Sequence, residues 1–431
     1  KDMDIAVERL NLAMGRKERI LIYGDYDVDG TTAVALVYKF IQQFYSNIDY
    51  YIPDRYNEGY GVSTKGVNYA AETGVKLVIV LDCGIKAVDE IAYAKEKGID
   101  FIICDHHVPD DVLPDAVAIL NAKREDNTYP YEHLSGCGVG FKFMQAFAIS
   151  NGIEFHHLIP LLDLVAVSIA SDIVPIMGEN RILAYHGLKQ LNTNASVGMK
   201  AIIDVCGLAE KEITVSDIVF KIGPRINASG RIQNGKEAVE LLVEKDLATA
   251  LNKANQINQY NETRKDLDKS MTEEANRIVA GLEGLADRRS IVLFNEDWHK
   301  GVIGIVASRL TEIFYRPAVV LTRTDDLATG SARSVSGFDV YKAIEHCRDL
   351  LENFGGHTYA AGLSMKAENV QAFTERFEEY VAQHILPEQT SAVIDINAEI
   401  DFKDISHKFY NDLKKFNPFG PDNNKPVFCT H

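Results

Sequence analysis

The sequence predicts an α/β chain, with a parallel-sheet domain, a smaller α/β domain reached through a long helix, and the start of a third domain. Three observations carry this reading. Short apolar runs alternate with helical patterns through the first third, which argues for a parallel sheet covered on both faces. A narrow apolar stripe at helical spacing begins at Leu247, the mark of a long amphipathic helix. After that stripe, strand-like and helix-like runs alternate again.

The first strand is read at residues 20–23, and Ala33, Val34, Val37, Tyr38 and Ile41 repeat at helical spacing behind Gly30. Further strands are read at 50–52, 77–81, 101–104 and 117–120, with helices near 62–71 and 87–97. From about 140 to 243 the pattern is helical, including an apolar helix at 158–170. Leu247, Leu251, Ala254, Ile257, Tyr260, Leu267, Met271 and Ile278 then form the stripe, among polar residues such as Asn252, Gln256 and Lys265. At 1.5 Å per residue this helix spans roughly 45 Å or more, and its narrow stripe suits a connector between lobes. Strands at 290–294, 318–321 and 328–331, with helices near 303–313 and 340–350, make the second α/β unit. The expected division is 1–245, a connecting helix 246–285, a second domain 286–388, and a linker with an incomplete third domain at 389–431.

Composition sets bounds. Hydrophobic residues at 46% and charged residues at 25% are ordinary for a globular protein. No uncharged apolar run of about 18 residues exists, so a membrane span is not expected. The chain opens on Lys1 with neither an initiator Met nor a signal segment, which reads as a trimmed sequence. Cys83, Cys104, Cys137, Cys206, Cys347 and Cys429 show no CxxC pair. They read as buried thiols in a reducing compartment, the cytoplasm. With 45 basic against 62 acidic residues the net charge is -17. Proteins that hold phosphate backbones usually carry a basic face, so this balance favours a smaller phosphate substrate.

The strongest chemical signal is Asp25, Asp27 and Asp29, directly behind the first strand. Carboxylates spaced by two on a strand-to-helix turn gather at the carboxyl end of a sheet, where open α/β folds bind substrate. Like charges so crowded repel unless a cation neutralises them, and oxygen ligands suit Mg²⁺ or Mn²⁺. The alternatives are a solvated acidic turn or a calcium loop. In the latter, Gly30 fits position six from Asp25, but Leu36 stands where a bidentate Glu is needed. Asp82 and Asp105-His106-His107 each follow a strand as well, and Asp172 breaks an apolar stretch, where an N-cap is the simplest reading. Together these sites favour a dinuclear metal centre.

Asp27 with Asp29, Asp82, Asp105-His106-His107 and Asp172 resemble the four motifs of DHH-superfamily phosphoesterases. Residues 355–362, Gly-Gly-His-Thr-Tyr-Ala-Ala-Gly, resemble the GGHxxAAG signature of the associated DHHA1 domain. The first motif resembles the RecJ form: Tyr23 stands where many small-substrate relatives carry a leading His, and Asp25 where they carry Asn. Residues 53–55 with 58–61, and 223–231, are similar to RecJ segments. Residues 418–428 resemble the opening of that family's oligonucleotide-binding (OB) domain, departing from its Gly-Asn-Pro-Glu-Pro form. The resemblance covers about residues 20 to 365.

It implies a metal-dependent 5′-to-3′ exonuclease that hydrolyses single-stranded DNA to 5′-mononucleotides in DNA repair and recombination. The cofactors implied are two divalent ions, Mn²⁺ or Mg²⁺. A single strand with a 5′ end is the partner, alongside a helicase and a single-strand-binding protein. Asp82 would bridge the ions, Asp25 and Asp27 would hold one, and Asp29, His106 and Asp172 the other. His107 would contact the scissile phosphate or protonate the leaving oxygen, with Asp105 orienting an imidazole. Arg55, Ser331 and Arg333 would hold the 5′-phosphate. Arg225, Asn227 and Arg231 would line the groove or hold the lobes together. Gly355, Gly356 and His357 would let backbone approach substrate closely, and a cleft between lobes would thread the strand. Two rival readings remain open: a DHH phosphodiesterase acting on short oligonucleotides, cyclic dinucleotides or pyrophosphate, and a non-catalytic replication scaffold.

Overall fold

A computed structural model of the chain describes every residue except Glu283 and His431. It divides into two units, Lys1–Asn261 with Ile396–His431, and Glu262–Asp395.

The first unit is built on strands β1 (Arg19–Gly24), β2 (Ile48–Tyr51), β3 (Val75–Leu81), β4 (Asp100–Cys104) and β5 (Ala118–Leu120). All are parallel, in the order β2-β1-β3-β4-β5. Side chains alternate between two buried layers. Ile20, Ile22, Leu77, Ile79, Leu81 and Ile102 enter one apolar core, while Leu21, Tyr23, Val78, Val80, Phe101 and Ile103 enter the other. Burial on both faces is why these strands read as nearly unbroken apolar runs.

Helices α1 (Met3–Gly15), α2 (Val28–Ile41), α3 (Thr64–Glu72), α4 (Val88–Glu96), α5 (Gly136–Ser150) and α6 (Leu162–Ser171) surround the sheet. Nearly all of α2 is buried, which accounts for its high apolar content. The apolar helix expected from 158 begins only at Leu162, after 3₁₀ turns at Phe155–His157 and Ile159–Leu161. Residues Ile218–Ile222 form a π-helical turn leading into the helix Gly223–Ile232. The segment from Ile396 adds a two-stranded pair, Ala398–Glu399 with Phe428–Cys429, and the Ile176 amide donates to the Pro421 carbonyl at 2.8 Å.

The expected long helix is Leu247–Ala280. Ala250, Ala254 and Ile257 join the first unit's core, whereas Met271, Ala275 and Val279 join a core of the second. Leu247 and Ile278 of the expected stripe are 48% and 37% exposed. Helical drift over so many turns rotates the buried face, so Val279 takes the place assigned to Ile278.

The second unit carries β6 (Ile291–Phe294), β7 (Ala318–Thr324), β8 (Leu327–Arg333), β9 (Asn353–His357) and β10 (Ala360–Lys366), in the order β6-β7-β8-β10-β9. Only the β6–β7 pair is parallel. The β9–β10 hairpin was not expected, since no strand is read at 353–366 and Gly355-Gly356-His357 reads as a place for close backbone approach to substrate. The helix expected at 340–350 is Val340–Glu345 followed by a 3₁₀ turn, Arg348–Leu350. Cys206 and Cys429 are partly exposed rather than buried. No helix among the described residues is long and apolar enough to cross a membrane.

Candidate metal centre

Sheet register assembles the site. Gly24 pairs with Leu81, Leu81 with Cys104, and Cys104 with Leu120, so Asp25, Asp82 and Asp105 leave neighbouring strand ends side by side. Strand order reverses between β1 and β3, the switch point at which open α/β sheets bind ligands. The ladder continues past the strands: the Asp82 amide donates to Cys104 O at 2.9 Å and the Asp105 amide to Leu120 O at 3.1 Å. Asp82 turns the chain with φ 60, a conformation Asp tolerates better than most residues.

Ligand-type atoms of Asp25, Asp27 and Asp82 lie within 4.8 Å of one another, as do those of Asp29, His106 and Asp172, and those of Asp82, His106 and His107. His106 Nε2 is 3.1 Å from Asp82 Oδ1, 3.5 Å from Asp172 Oδ2 and 3.7 Å from Asp29 Oδ2. Asp25 Oδ1, Asp82 Oδ1 and His106 Nε2 are buried and lack a hydrogen-bond partner among the described residues. Buried polar atoms are almost always satisfied, and lone pairs converging without donors fit cations.

The electrostatics agree. Burial, then the neighbouring Asp27, pushes the Asp25 carboxyl well above the usual range. Burial, then Asp29, does the same to Asp82 and Asp172. Asp29 itself is raised to about 6 by burial and Asp27. Burial, then the charge on His107, lowers His106 to about 3, so the ring is neutral and its lone pair is available to a metal.

Asp27 caps α2, accepting from the Gly30 amide at 3.0 Å. Asp29 is held by the start of α5, accepting from the amides of Gly136 at 2.6 Å and Cys137 at 2.7 Å, and from Ser168 Oγ at 2.7 Å. A Cβ on Gly136 would fall 2.6 Å from Asp82 Oδ1. Asp172 follows the last turn of α6 as its C-cap, not as the N-cap read from sequence. The next residue, Ile173, has φ 59, a strained conformation for a β-branched side chain.

Asp105 takes no part in the converging set. It accepts from the amides of Ile85, His106 and His107 at 3.0, 2.7 and 3.1 Å, and lies 2.8 Å from His107 Nδ1. Burial would raise its carboxyl, but the hydrogen bond and charge of His107 bring it down to about 2. His107 is correspondingly raised, burial being outweighed by Asp105.

Around this centre, Arg55 lies over the Tyr26 ring at 4.0 Å. Arg225 is tied inward, donating to Asn258 Oδ1 at 2.8 Å and Lys221 O at 2.9 Å. Asn227 and Arg231 lie on the same helix, and the Arg231 carbonyl accepts from the Tyr56 hydroxyl. In the second unit, Arg333 Nη1 donates to Ser331 Oγ at 2.9 Å and Ala332 O at 2.7 Å. A Cβ on Gly304, in the first turn of helix Ile303–Phe314, would lie 3.0 Å from Ser331 Oγ and 3.1 Å from Arg333 Nη2. Gly355, Gly356 and His357 are exposed on the edge strand β9. Sequence reasoning missed Tyr60, Ser168 and Gly136, whose parts depend on contacts far along the chain. The legible hints were the RecJ-like segment 58–61 and the Gly-Cys-Gly run behind Ser135.

Three family models match the chain: the DHH family N-terminal domain over residues 19–169, the DHHA1 domain over 287–383, and the RecJ OB domain over 396–431. Single-stranded-DNA-specific exonuclease RecJ of Bacillus subtilis is 39% identical over 99% of this chain and 53% of its own length. The protein of that name from Haemophilus influenzae is 34% identical over 98% of this chain and 76% of its own. Among solved structures, RecJ in complex with Mn²⁺ from Thermus thermophilus superposes with a TM-score of 0.87 at 27% identity, covering 100% of this chain and 62% of that one. The chain thus spans about half the length of the Bacillus relative. With a relative matched this fully, on top of a parallel sheet whose strand ends gather the expected acidic and histidine residues, the chain belongs to the RecJ family.

Proposed function

We propose that the chain is a two-metal phosphodiesterase that hydrolyses single-stranded DNA from its 5′ end, releasing 5′-mononucleotides. The observation that supports this most is the pair of converging ligand groups, Asp25-Asp27-Asp82 and Asp29-His106-Asp172, with orphaned acceptor atoms on Asp25, Asp82 and His106. In this reading each group would hold one divalent ion, Mn²⁺ or Mg²⁺, with Asp82 available to both. When bound, such a pair supplies an activated water and neutralises charge on the departing oxygen.

The protein's own groups do the rest. Asp105 fixes the His107 ring through Nδ1, and the other ring nitrogen gives a proton to the departing 3′ oxygen. Arg55 in the first unit, and Ser331 with Arg333 in the second, are each suited to a phosphate of the strand, a task that fits the guanidinium fork. His357 and its glycines meet the sugar-phosphate backbone, and Asn227 and Arg231 extend that contact. The assignment divides the chain into a catalytic domain 1–245, a connecting helix 246–285, a substrate-binding domain 286–388 and the opening of an OB domain from 389. The work belongs to repair and recombination in the cytoplasm, on strands opened by a helicase and covered by a single-strand-binding protein.

The net charge of -17 favours one rival, a phosphodiesterase for short oligonucleotides or cyclic dinucleotides. The deciding experiment offers the chain Mn²⁺ with a 5′-phosphorylated single strand labelled at either end, beside duplex DNA, a cyclic dinucleotide and pyrophosphate. Stepwise mononucleotide release from the 5′ end, abolished in Asp82→Ala, is the expected result. Turnover of the small substrates alone would move the function to the rival.

A further inference from the structure

Ser168 lies within α6, where a serine usually faces solvent or bonds the carbonyl one turn back. Here it is fully buried, and its hydroxyl reaches Asp29 of α2, 139 positions earlier in the chain. Ser168 Oγ lies 2.7 Å from Asp29 Oδ1 and 2.6 Å from Ser135 Oγ. An ionised carboxylate can only accept, so the Ser168 proton is committed to Asp29 and the Ser135 hydroxyl turns its own proton to Ser168. Ser135 is held in turn as the N-cap of α5, accepting from the Gly138 amide at 3.1 Å.

The two oxygens of Asp29 are thus used unequally. Oδ1 accepts from Ser168 and from the Cys137 amide, each at 2.7 Å, which fills both lone pairs of that oxygen. Oδ2 accepts from the Gly136 amide at 2.6 Å and keeps its other lone pair. It faces His106 Nε2 at 3.7 Å, in the group that Asp172 completes. Asp25 and Asp82 differ, since each has a buried oxygen without a partner among the described residues. Asp29 therefore offers an ion one oxygen, whereas a carboxylate free at both ends can offer two.

The number of oxygens taken per carboxylate separates the hard divalent ions. Ca²⁺ fills a large, flexible shell and readily takes a carboxylate through both oxygens, while Mg²⁺ needs a compact octahedron, a geometry that Mn²⁺ shares. We propose that Ser168 sets the metal selectivity of the site: by occupying Asp29 Oδ1 it confines this ligand to Oδ2 and favours Mg²⁺ or Mn²⁺ over Ca²⁺. Ser168 acts through Asp29 and is a positioning residue. The inference rests on the two-metal reading and adds to it a reason for one ion to be chosen over another.

The test titrates the full chain calorimetrically with Mn²⁺ and with Ca²⁺, unsubstituted and as Ser168→Ala, Ser168→Cys and Ser168→Thr. Alanine removes the donor, cysteine replaces it by a much weaker one, and threonine keeps the hydroxyl. Loss of an outer-sphere partner costs about 10- to 100-fold in metal affinity, so Ser168→Ala and Ser168→Cys should bind Mn²⁺ at least about tenfold more weakly. Ca²⁺ gains the released Oδ1 and should bind as tightly as before or more tightly. The preference for Mn²⁺ over Ca²⁺ should therefore fall about tenfold or more in both variants and change less than about threefold in Ser168→Thr. Infrared difference spectra of the carboxylate stretches, Ca²⁺-loaded against metal-free, should show a carboxylate newly held through both oxygens in Ser168→Ala and Ser168→Cys alone. The cysteine chain carries the comparison if the alanine chain does not fold.

Equal weakening of both ions would make Ser168 a plain structural support and overturn the proposal, as would an unchanged preference. Failure of the two-metal reading looks different. The unsubstituted chain would then bind neither ion, and this inference would fall with it.

Discussion

At the residue scale, the acidic ligands are the part of the site that sequence announces, because one carboxylate after a strand is readily a cap or a turn, but three such sites in one α/β unit are hard to explain that way. What holds those carboxylates in place is silent in sequence. Gly136 carries no chemistry, yet its amide donates to Asp29 at 2.6 Å and its missing Cβ leaves room for the Asp82 carboxylate, which would otherwise meet it at 2.6 Å. Asp82 is buried, so it has little freedom to move aside, and the start of α5 would have to retreat and release Asp29. Gly136→Ala should therefore weaken Mn²⁺ binding by about 10- to 100-fold, the range for loss of an outer-sphere support, while the chain stays folded. Calorimetric titration of Mn²⁺ beside a circular dichroism spectrum checks this, and unchanged affinity would show that Asp82 does not depend on the close approach.

At the scale of elements, legibility followed burial. The five parallel strands were readable because both faces of their sheet are covered, which forces continuous apolar runs such as Val78, Ile79, Val80 and Leu81. The β9–β10 hairpin was unreadable for the opposite reason. Gly355, Gly356 and His357 are exposed on an edge strand, so no apolar alternation is required of them, and pairing with β10 alone makes the segment a strand. Gly356 pairs with Ala361 at φ 149, and a Cβ there would stand 2.4 Å from the Ala360 carbonyl oxygen. The glycine run provides a tolerance for tight strand pairing. Gly356→Ala should loosen this hairpin by about 1–3 kcal/mol, the usual scale of local backbone strain. Amide exchange at Leu363 and Phe354 would then quicken while the β1–β3 amides keep their protection. Equal quickening in both sheets, or none, would contradict the local origin.

At the scale of the whole molecule, an acidic protein that concentrates carboxylates in one buried site is working against itself unless cations are present. Without metal, Asp25, Asp82 and Asp172 have folded values well above the usual carboxylate range, and Asp29 is raised to about 6, burial being the first cause in each. A carboxyl raised on folding contributes stability that is complete below its unfolded value of about 4 and is lost as pH climbs through the folded value. The metal-free chain should accordingly lose stability between about pH 4 and pH 7. Asp105, lowered to about 2, acts in the opposite sense, and only below that window. Bound cations need the same carboxylates ionised, so their stabilisation grows as pH rises across the same range. With Mn²⁺ at about 100 times its dissociation constant, the gain is about 2.7 kcal/mol, or about 4 °C in Tm for a unit of this size. Thermal melts in Mn²⁺ and in EDTA should thus differ by about that amount at pH 7 and by less than half of it at pH 5. A gap that stayed constant or widened toward acid would mean that the buried carboxylates are not what the cation neutralises.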